Sequence, residues 1–388
     1  MKISSYGAIT KIKSIIFSNR LQGIGDYGLR DALLVAYKII QLKGFGPIFS
    51  YLKYIIVPKE SVVKTLPFEM VCYVTSKCNL QCSYCCFGIS EQSLLRRMDG
   101  FQEILEGRDM TIDNFKRLAA LPVFKNAVAL VLSGGEPLLN VDFFKIVNYA
   151  KDKFPLIHLT TNGTLLDIFF EEILNSPLTH INISMDASSP EDYEKMRRCD
   201  GGRELFNKIT ESVKRLVKEK QRRKKNLRIL LSFVVGKMNY KKIEEMVKFS
   251  ENVGADAINL QNVCGFNCKE LSRETLMSGD EAVKKVIGQI RARNTKIHII
   301  YPKICSSDKS IRGCRQCFDA MTVNAEGDVG PCSVIVPRRN SIYGNVFDDT
   351  NIWNSEFYQK LRKPLLDKDA PLASSYCEDC TFLHSDFF

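Results

Sequence analysis

This chain of 388 residues contains fourteen cysteines, and two groups of them have spacings that can do chemistry. The first group lies in TSKCNLQCSYCCFG, where Cys78, Cys82 and Cys85 follow a C-x3-C-x2-C pattern. Three thiolates on one short loop can converge on one face of a cluster. A [4Fe–4S] cubane held by three cysteines keeps one iron without a protein ligand, open to a substrate or cofactor. The rival chemistry is a structural zinc knot, completed by Cys86 or Cys72. The second group is Cys317-x9-Gly327-x4-Cys332 with Cys377-x2-Cys380, and Cys314 is a rival ligand three residues before Cys317. Four thiolates form a closed site, suited to an iron–sulfur cluster or to tetrahedral zinc. Cys86 reads as a small buried hydrophobe, and Cys264, Cys268 and Cys305 as buried thiols, although Cys264 and Cys268 could face a substrate.

The elements that must hold these residues are β-rich runs that begin at Phe68. They are FEMVCYVT (68–75), VALVLSG (128–134), IHLTTNG (157–163), HINISMD (180–186), RILLSFVV (228–235) and AINLQNV (257–263). Amphipathic stretches near 112–120, 142–153, 166–174, 204–221 and 240–252 separate them. Near-continuous apolar strands alternating with helices predict an α/β fold with a parallel sheet covered by helices. Six such units predict a partial (β/α)6, TIM-like barrel over 67–309. After about 310 the pattern changes: MTVNAEGDVGPC predicts a hairpin turning at Glu326-Gly327-Asp328. The hairpin and the Cys-rich tail predict a small α+β domain over 310–388. Residues 1–66 predict a basic, mainly helical segment. The first cysteine loop follows the first strand, and such folds bind ligands at the carboxyl ends of their strands.

The spacing of Cys78, Cys82 and Cys85, with Tyr84 before the third cysteine, resembles the signature of the radical S-adenosylmethionine (SAM) superfamily. The resemblance implies that SAM chelates the open iron and is cleaved to a 5′-deoxyadenosyl radical, which abstracts hydrogen from substrate. Gly134-Gly135-Glu136-Pro137 resembles the family's GGEP motif, which meets the SAM amino group. Thr161 and Asn162 end the third strand, where related enzymes hold adenosine. By the same resemblance Ser184 contacts the SAM carboxylate, Asp186 lies near the ribose, and Arg197 pairs with the carboxylate, with Arg198 as its neighbour in contention. Val235 and Asn262 fall where adenine contacts are expected. The second cysteine group resembles the SPASM/twitch extension, in its shorter twitch form with one auxiliary [4Fe–4S] cluster. The resemblance implies a flavodoxin or ferredoxin reductant. It also implies oxidation or crosslinking of a peptide, protein or aminocyclitol-type small molecule.

Composition excludes several classes. With 45% hydrophobic and 26% charged residues the chain is neither disordered nor collagen-like. No run of about 18 uncharged apolar residues occurs, and the N-terminus lacks a signal-peptide pattern, so a cytoplasmic protein is expected. Clustered cysteines in that reducing compartment point to metal or redox chemistry rather than disulfides. Net charge is +11, and residues 1–66 hold ten basic and three acidic residues, a local balance of +7. The pairing of lysines with apolar runs there raises an alternative: peripheral contact at the inner membrane face, with a lipid-linked substrate. The basic run VKRLVKEKQRRKKNLR (213–228) reads as a solvated helix end, and nucleic acid is not an expected partner; an RNA-modifying enzyme is the alternative. A noncatalytic electron carrier is the alternative from another class. Asp256 and Glu270 are the acids placed near the active end of the barrel, and neither is assigned as a base.

Overall fold

The computed structural model describes residues 29–57, 59–82, 84, 85, 87, 108–199, 201–265, 268–337, 343–374 and 377–386. The basic stretch 11–17 of the N-terminal segment and Cys86 lie outside the described residues. The strands are β1 (Glu69–Thr75), β2 (Ala129–Gly134), β3 (Leu156–Thr161), β4 (His180–Ser184), β5 (Arg228–Val235), β6 (Ala257–Asn262), β7 (His298–Ile300), β8 (Ile304–Cys305), β9 (Ala320–Val323), β10 (Val329–Gly330) and β11 (Ser385–Asp386). The first helices are α1 (Leu29–Lys43), α2 (Gly46–Ile56), α3 (Ile112–Ala119), α4 (Phe143–Ala150), α5 (Phe170–Asn175) and α6 (Pro190–Arg197). They are followed by α7 (Gly202–Arg222), α8 (Ile243–Asn252), α9 (Lys269–Glu274), α10 (Glu281–Ala292), α11 (Gln316–Asp319) and α12 (Glu356–Leu366).

Strands β1 to β7 pair in sequence order, each parallel to the next. β1 is buried along its whole length, as expected of a strand covered on both faces. Helices α3, α4, α7 and α8 bury Phe115, Ile146, Ile209 and Met246 in the same core that receives Ile157, Ile181 and Phe233 from the strands. Two departures from the six-unit expectation are visible. β7 adds a seventh parallel strand, too short at three residues to show a pattern. The hairpin strand β9 does not stay in its own domain but pairs parallel with β1, Glu69 opposite Ala320, while β10 pairs antiparallel with β9. The result is an open sheet of nine strands, ordered β10-β9-β1-β2-β3-β4-β5-β6-β7, and not a closed barrel.

The other end of the chain is tied into this sheet by long-range contacts. The fully buried Arg362 of α12 donates to the carbonyls of Cys317 (2.9 Å) and Ser61 (3.1 Å), and Trp353 Nε1 donates to the Thr65 carbonyl. Helices α1 and α2 pack Val35, Ile39 and Ile48 against Val128, Ala129 and Leu156, at the amino ends of β2 and β3. The basic run after Lys214 is largely paired: Arg215 with Asp167, Arg222 with Glu219, and Arg223 with Glu171.

Candidate active site and auxiliary cysteine cavity

The carboxyl ends of β1 to β4 are stitched together by short polar contacts. Gly134 has φ +135°, and a Cβ there would lie 2.3 Å from the Thr75 carbonyl; a Cβ at Gly135 would lie 2.0 Å from the Lys77 carbonyl. Only two glycines allow this approach. The amides of Gly135 and Glu136 then donate to the Thr75 and Lys77 carbonyls, at 2.8 and 2.7 Å. The glycine pair thus clamps the entry of the cysteine loop. Glu136 is fully buried: it accepts from the Thr161 hydroxyl (2.8 Å), the Asn162 amide (2.7 Å) and the Leu138 amide (3.1 Å). Burial raises its pKa, and these donors oppose the shift. Pro137 opens the short 3-10 turn that follows.

The first three thiols interact with one another electrostatically, and burial pushes Cys78 up to about 11 and Cys82 upward as well. Each of these two has a neighbouring donor. Asn162 Nδ2 lies 3.8 Å from Cys78 Sγ, and Arg197 donates to Cys82 Sγ at 3.5 Å. Arg197 closes helix α6 and is nearly inaccessible. It forms a 2.9 Å ion pair with Asp186, donates to the Ser184 carbonyl, and leaves its buried Nε unpartnered. Asp186 has φ +58°, accepts from the Val234 amide (2.8 Å) and receives the Tyr84 hydroxyl. Tyr84, Ser184, Asp186, Arg197 and Cys82 therefore form one cluster. Thr161, Asn162, Glu136 and Cys78 form the adjoining one. Arg198 is exposed and in the left-handed region, so Arg197 is the arginine that faces the thiols. Val235 and Asn262 end β5 and β6, and the Asn262 amide is engaged by the Leu276 and Lys303 carbonyls.

Asp256 is misplaced in the sequence reading. It precedes β6, at the end of the sheet opposite the cysteine loop, where it pairs with Lys220 and caps the Ile229 amide. Glu270 is at the carboxyl side, where the Cys268 thiol donates to it at 3.2 Å.

The second group is gathered from several segments around one pocket, bordered by Cys264, Cys314, Cys317, Cys332, Cys377 and Cys380 among mainly apolar neighbours. The turn that returns the chain needs Gly327, at φ +88°, because a Cβ would lie 2.5 Å from the Phe347 ring. Every pair among Cys314, Cys332, Cys377 and Cys380 interacts electrostatically. Cys317 couples to Cys314 and Cys332, and lies on α11 beside Arg362. Burial pushes Cys314 and Cys377 up to about 12. Such thiols become thiolates when cationic metal stands among them. Cys264 is the residue that the sequence pattern did not assign: its hydrogen bond draws Cys380 down to about 7 despite burial. Its only signal was its place just after β6.

Among the described residues, no three His, Cys, Asp or Glu side chains converge closely enough to hold one metal ion. Zinc gathers four sulfurs at about 2.3 Å from one point. Thiols spread around a cavity suit a larger polynuclear cluster better.

A parallel α/β sheet with a three-thiol loop at its carboxyl ends, and a second thiol cavity beside it, defines an enzyme class built on two cluster sites. Residues 72–250 match the radical SAM superfamily and residues 314–381 match SPASM, an iron–sulfur cluster-binding domain. The chain belongs to the radical SAM superfamily and carries a SPASM domain, which imply a SAM-binding [4Fe–4S] cluster and an auxiliary cluster. It is 27% identical over 183 residues to the probable GTP 3′,8-cyclase of Methanocaldococcus jannaschii, a match covering 47% of this chain and 54% of that protein. The chain thus spans about half the length of that relative, and less of the other cyclases, such as 38% of that from Methanococcus maripaludis. It is 23% identical over 324 residues to the antilisterial bacteriocin subtilosin biosynthesis protein AlbA of Bacillus subtilis, covering 82% of this chain and 66% of AlbA. Among solved structures, Streptococcus suis SuiB bound to its precursor peptide SuiA superposes with TM-score 0.57 at 15% identity, covering 97% of this chain and 87% of SuiB. The anSMEcpe structure with bound AdoMet gives 0.53 at 18% identity, over 81% of this chain and 85% of that one. At these identities the structural likeness shows the shared fold.

Proposed function

We propose that this radical SAM enzyme is a maturase that oxidises or crosslinks a peptide or protein substrate. The observation that carries the reading is the junction between the two thiol sites. The loop after β6 reaches both: Tyr84 packs against Val263 and Leu271, Cys264 bonds Cys380, and the Ser272 hydroxyl donates to Asp379 at 3.0 Å. A substrate held at the sheet's carboxyl edge therefore has both sites within one connected surface. The likeness to AlbA, and in fold to SuiB with its bound peptide, supports a peptide substrate.

Cys78, Cys82 and Cys85 would hold the first cluster, and Cys317, Cys332, Cys377 and Cys380 the second, with Cys314, which borders the same pocket, as the rival for the place of Cys317. When bound, the first supplies the electron that cleaves SAM, and the second offers an acceptor for the electron released on substrate oxidation. The protein's part is orientation and charge. Arg197 and Asn162 stabilise the thiolate forms of Cys82 and Cys78 by donating to their sulfurs. Asp186 fixes the guanidinium, and Tyr84 fixes Asp186. A flavodoxin or ferredoxin would deliver the reducing electron.

The test is anaerobic reconstitution with dithionite and SAM, followed by quantification of 5′-deoxyadenosine with and without candidate precursor peptides carrying deuterium. Deuterium recovered in deoxyadenosine from a peptide supports the reading. Transfer from an aminocyclitol and from none of the peptides would replace it, and an absence of deoxyadenosine would remove it.

A further inference from the structure

Helix α2 reads GPIFSYLKYII, with Ser50 and Lys53 as its only polar side chains. A helix this rich in apolar residues needs apolar cover over most of its surface. The fold covers only part of it: Pro47 and Tyr54 are buried, while Phe49 is 66% and Ile56 76% exposed. Phe45, in the turn before it, is 58% exposed, and its ring lies 6.4 Å from that of Phe49. Helix α1 repeats the pattern. Val35 and Ile39 pack under the sheet, and Leu33, Leu34 and Tyr37 face outward at 61, 48 and 60% exposure. An exposed apolar set of this size marks an interaction site.

Charge selects the partner. No acidic residue occurs from Ala32 to Lys59, whereas Lys38, Lys43, Lys53 and Lys59 do. Lys53 is exposed between Phe49 and Ile56 on the helix, and Lys43 anchors the hairpin to the carbonyls of Phe124 and Lys125. With lysines the only charges between Asp31 and Glu60, this apolar face favours an anionic partner over a second copy of itself. Apolar and aromatic side chains interleaved with lysine are the composition of helices that lie in the headgroup region of a bilayer. No described helix is long and apolar enough to cross a membrane, so contact would be at its surface.

We infer that α1 and α2 form a docking face for an anionic lipid bilayer, with Phe45, Phe49 and Ile56 entering the interface. The position of the hairpin sets the orientation. It lies under the amino ends of β2 and β3, and the cysteine loop lies at the carboxyl ends, about 20 Å away along six-residue strands. A docked molecule turns its SAM site away from the lipid, so its substrate arrives from the aqueous side and is not drawn from the bilayer.

The experiment is co-sedimentation of the reconstituted full chain with vesicles of phosphatidylcholine alone, or mixed with phosphatidylglycerol, at low and high salt. Binding to the anionic vesicles that weakens with salt is expected. Phe49→Ser and Ile56→Ser should each weaken it about tenfold, as loss of a buried apolar side chain implies. Ile168→Ser, which removes an exposed side chain elsewhere, should leave it unchanged. Unaltered SAM cleavage by each variant shows that it is folded. In Phe49→Trp, vesicles should shift the new fluorescence to the blue, since the native Trp353 is buried. An absence of sedimentation with anionic vesicles at low salt overturns the inference. So does a concentration-dependent dimer, seen by ultracentrifugation, that Phe49→Ser dissolves.

Discussion

The first cysteine group comes from one loop, Cys78 to Cys85, and the second from segments that begin at Cys314 and end at Cys380. In the loop, covalent connection already brings the thiols together, and the fold has only to aim them. It does so with a glycine clamp and a buried Asp186–Arg197 pair. In the cavity, tertiary packing does the gathering: β9 must join β1, Gly327 must turn the chain, and Arg362 must hold Cys317 through its carbonyl. A site made by local chain tolerates disturbance at a distance. A site made by packing is coupled to the whole fold.

The largest expected effect is at the local site. Cys82→Ala should reduce deoxyadenosine formation at least about a thousandfold, because an essential catalytic component is removed rather than weakened. It should leave the iron of the auxiliary site in place; loss of all iron would mean that the two sites assemble as one. Next comes the division within the cavity. Cys317→Ala should lose about four irons per chain, the content of one such cluster, while Cys314→Ala keeps them. Iron analysis with the reverse pattern would put Cys314 in the ligand set in place of Cys317.

A third effect tests the aiming device. Arg197→Gln leaves Asp186 buried without its partner and should lower unfolding stability by about 3–5 kcal/mol. Denaturant titration of the apoprotein reads this, and a change below about 1 kcal/mol would show that the pair is dispensable to the fold. A fourth effect, spread over several pH units, lies where the two regions meet, at Glu69 on β1 opposite β9. Burial, with Asp319 adding to it, raises the Glu69 pKa from 4.5 to about 8. The folded chain then holds a proton that the unfolded chain releases. Stability from this group is complete below pH 4.5 and is lost as pH rises through 8, at up to about 1.4 kcal/mol per pH unit. Thermal melts at several pH values between 4.5 and 8 should show a shallower decline for Glu69→Gln than for the parent; equal slopes would remove Glu69 as the source.

Much of the fold was legible because its strands are buried on both faces and announce themselves as apolar runs. The strand β7 was not, since three residues carry no period. β9 was visible as half of a hairpin, but its pairing with Glu69 crosses about 250 residues, and no local pattern encodes it. Most residues of the first candidate site were legible for a related reason, since they sit at the end of a readable strand or in the loop after one; Arg197, which closes helix α6, is the exception. Asp256 failed this rule. It lies before β6 rather than after it, and one strand length separates the two ends of the sheet. Cys264 obeys the rule, yet its partner Cys380 is far along the chain, so its spacing conveyed nothing.

Residue type and spacing alone determined that this protein presents three thiols on a strand-ending loop, within a parallel α/β frame that carries the radical SAM motifs. The tertiary structure decided which other thiols stand together, that Arg197 rather than Arg198 faces them, and which side of α1 and α2 is left uncovered. The physical reason is range. Loop geometry and strand burial are set by neighbours in sequence, whereas a cavity and an exposed face exist only after distant segments have packed.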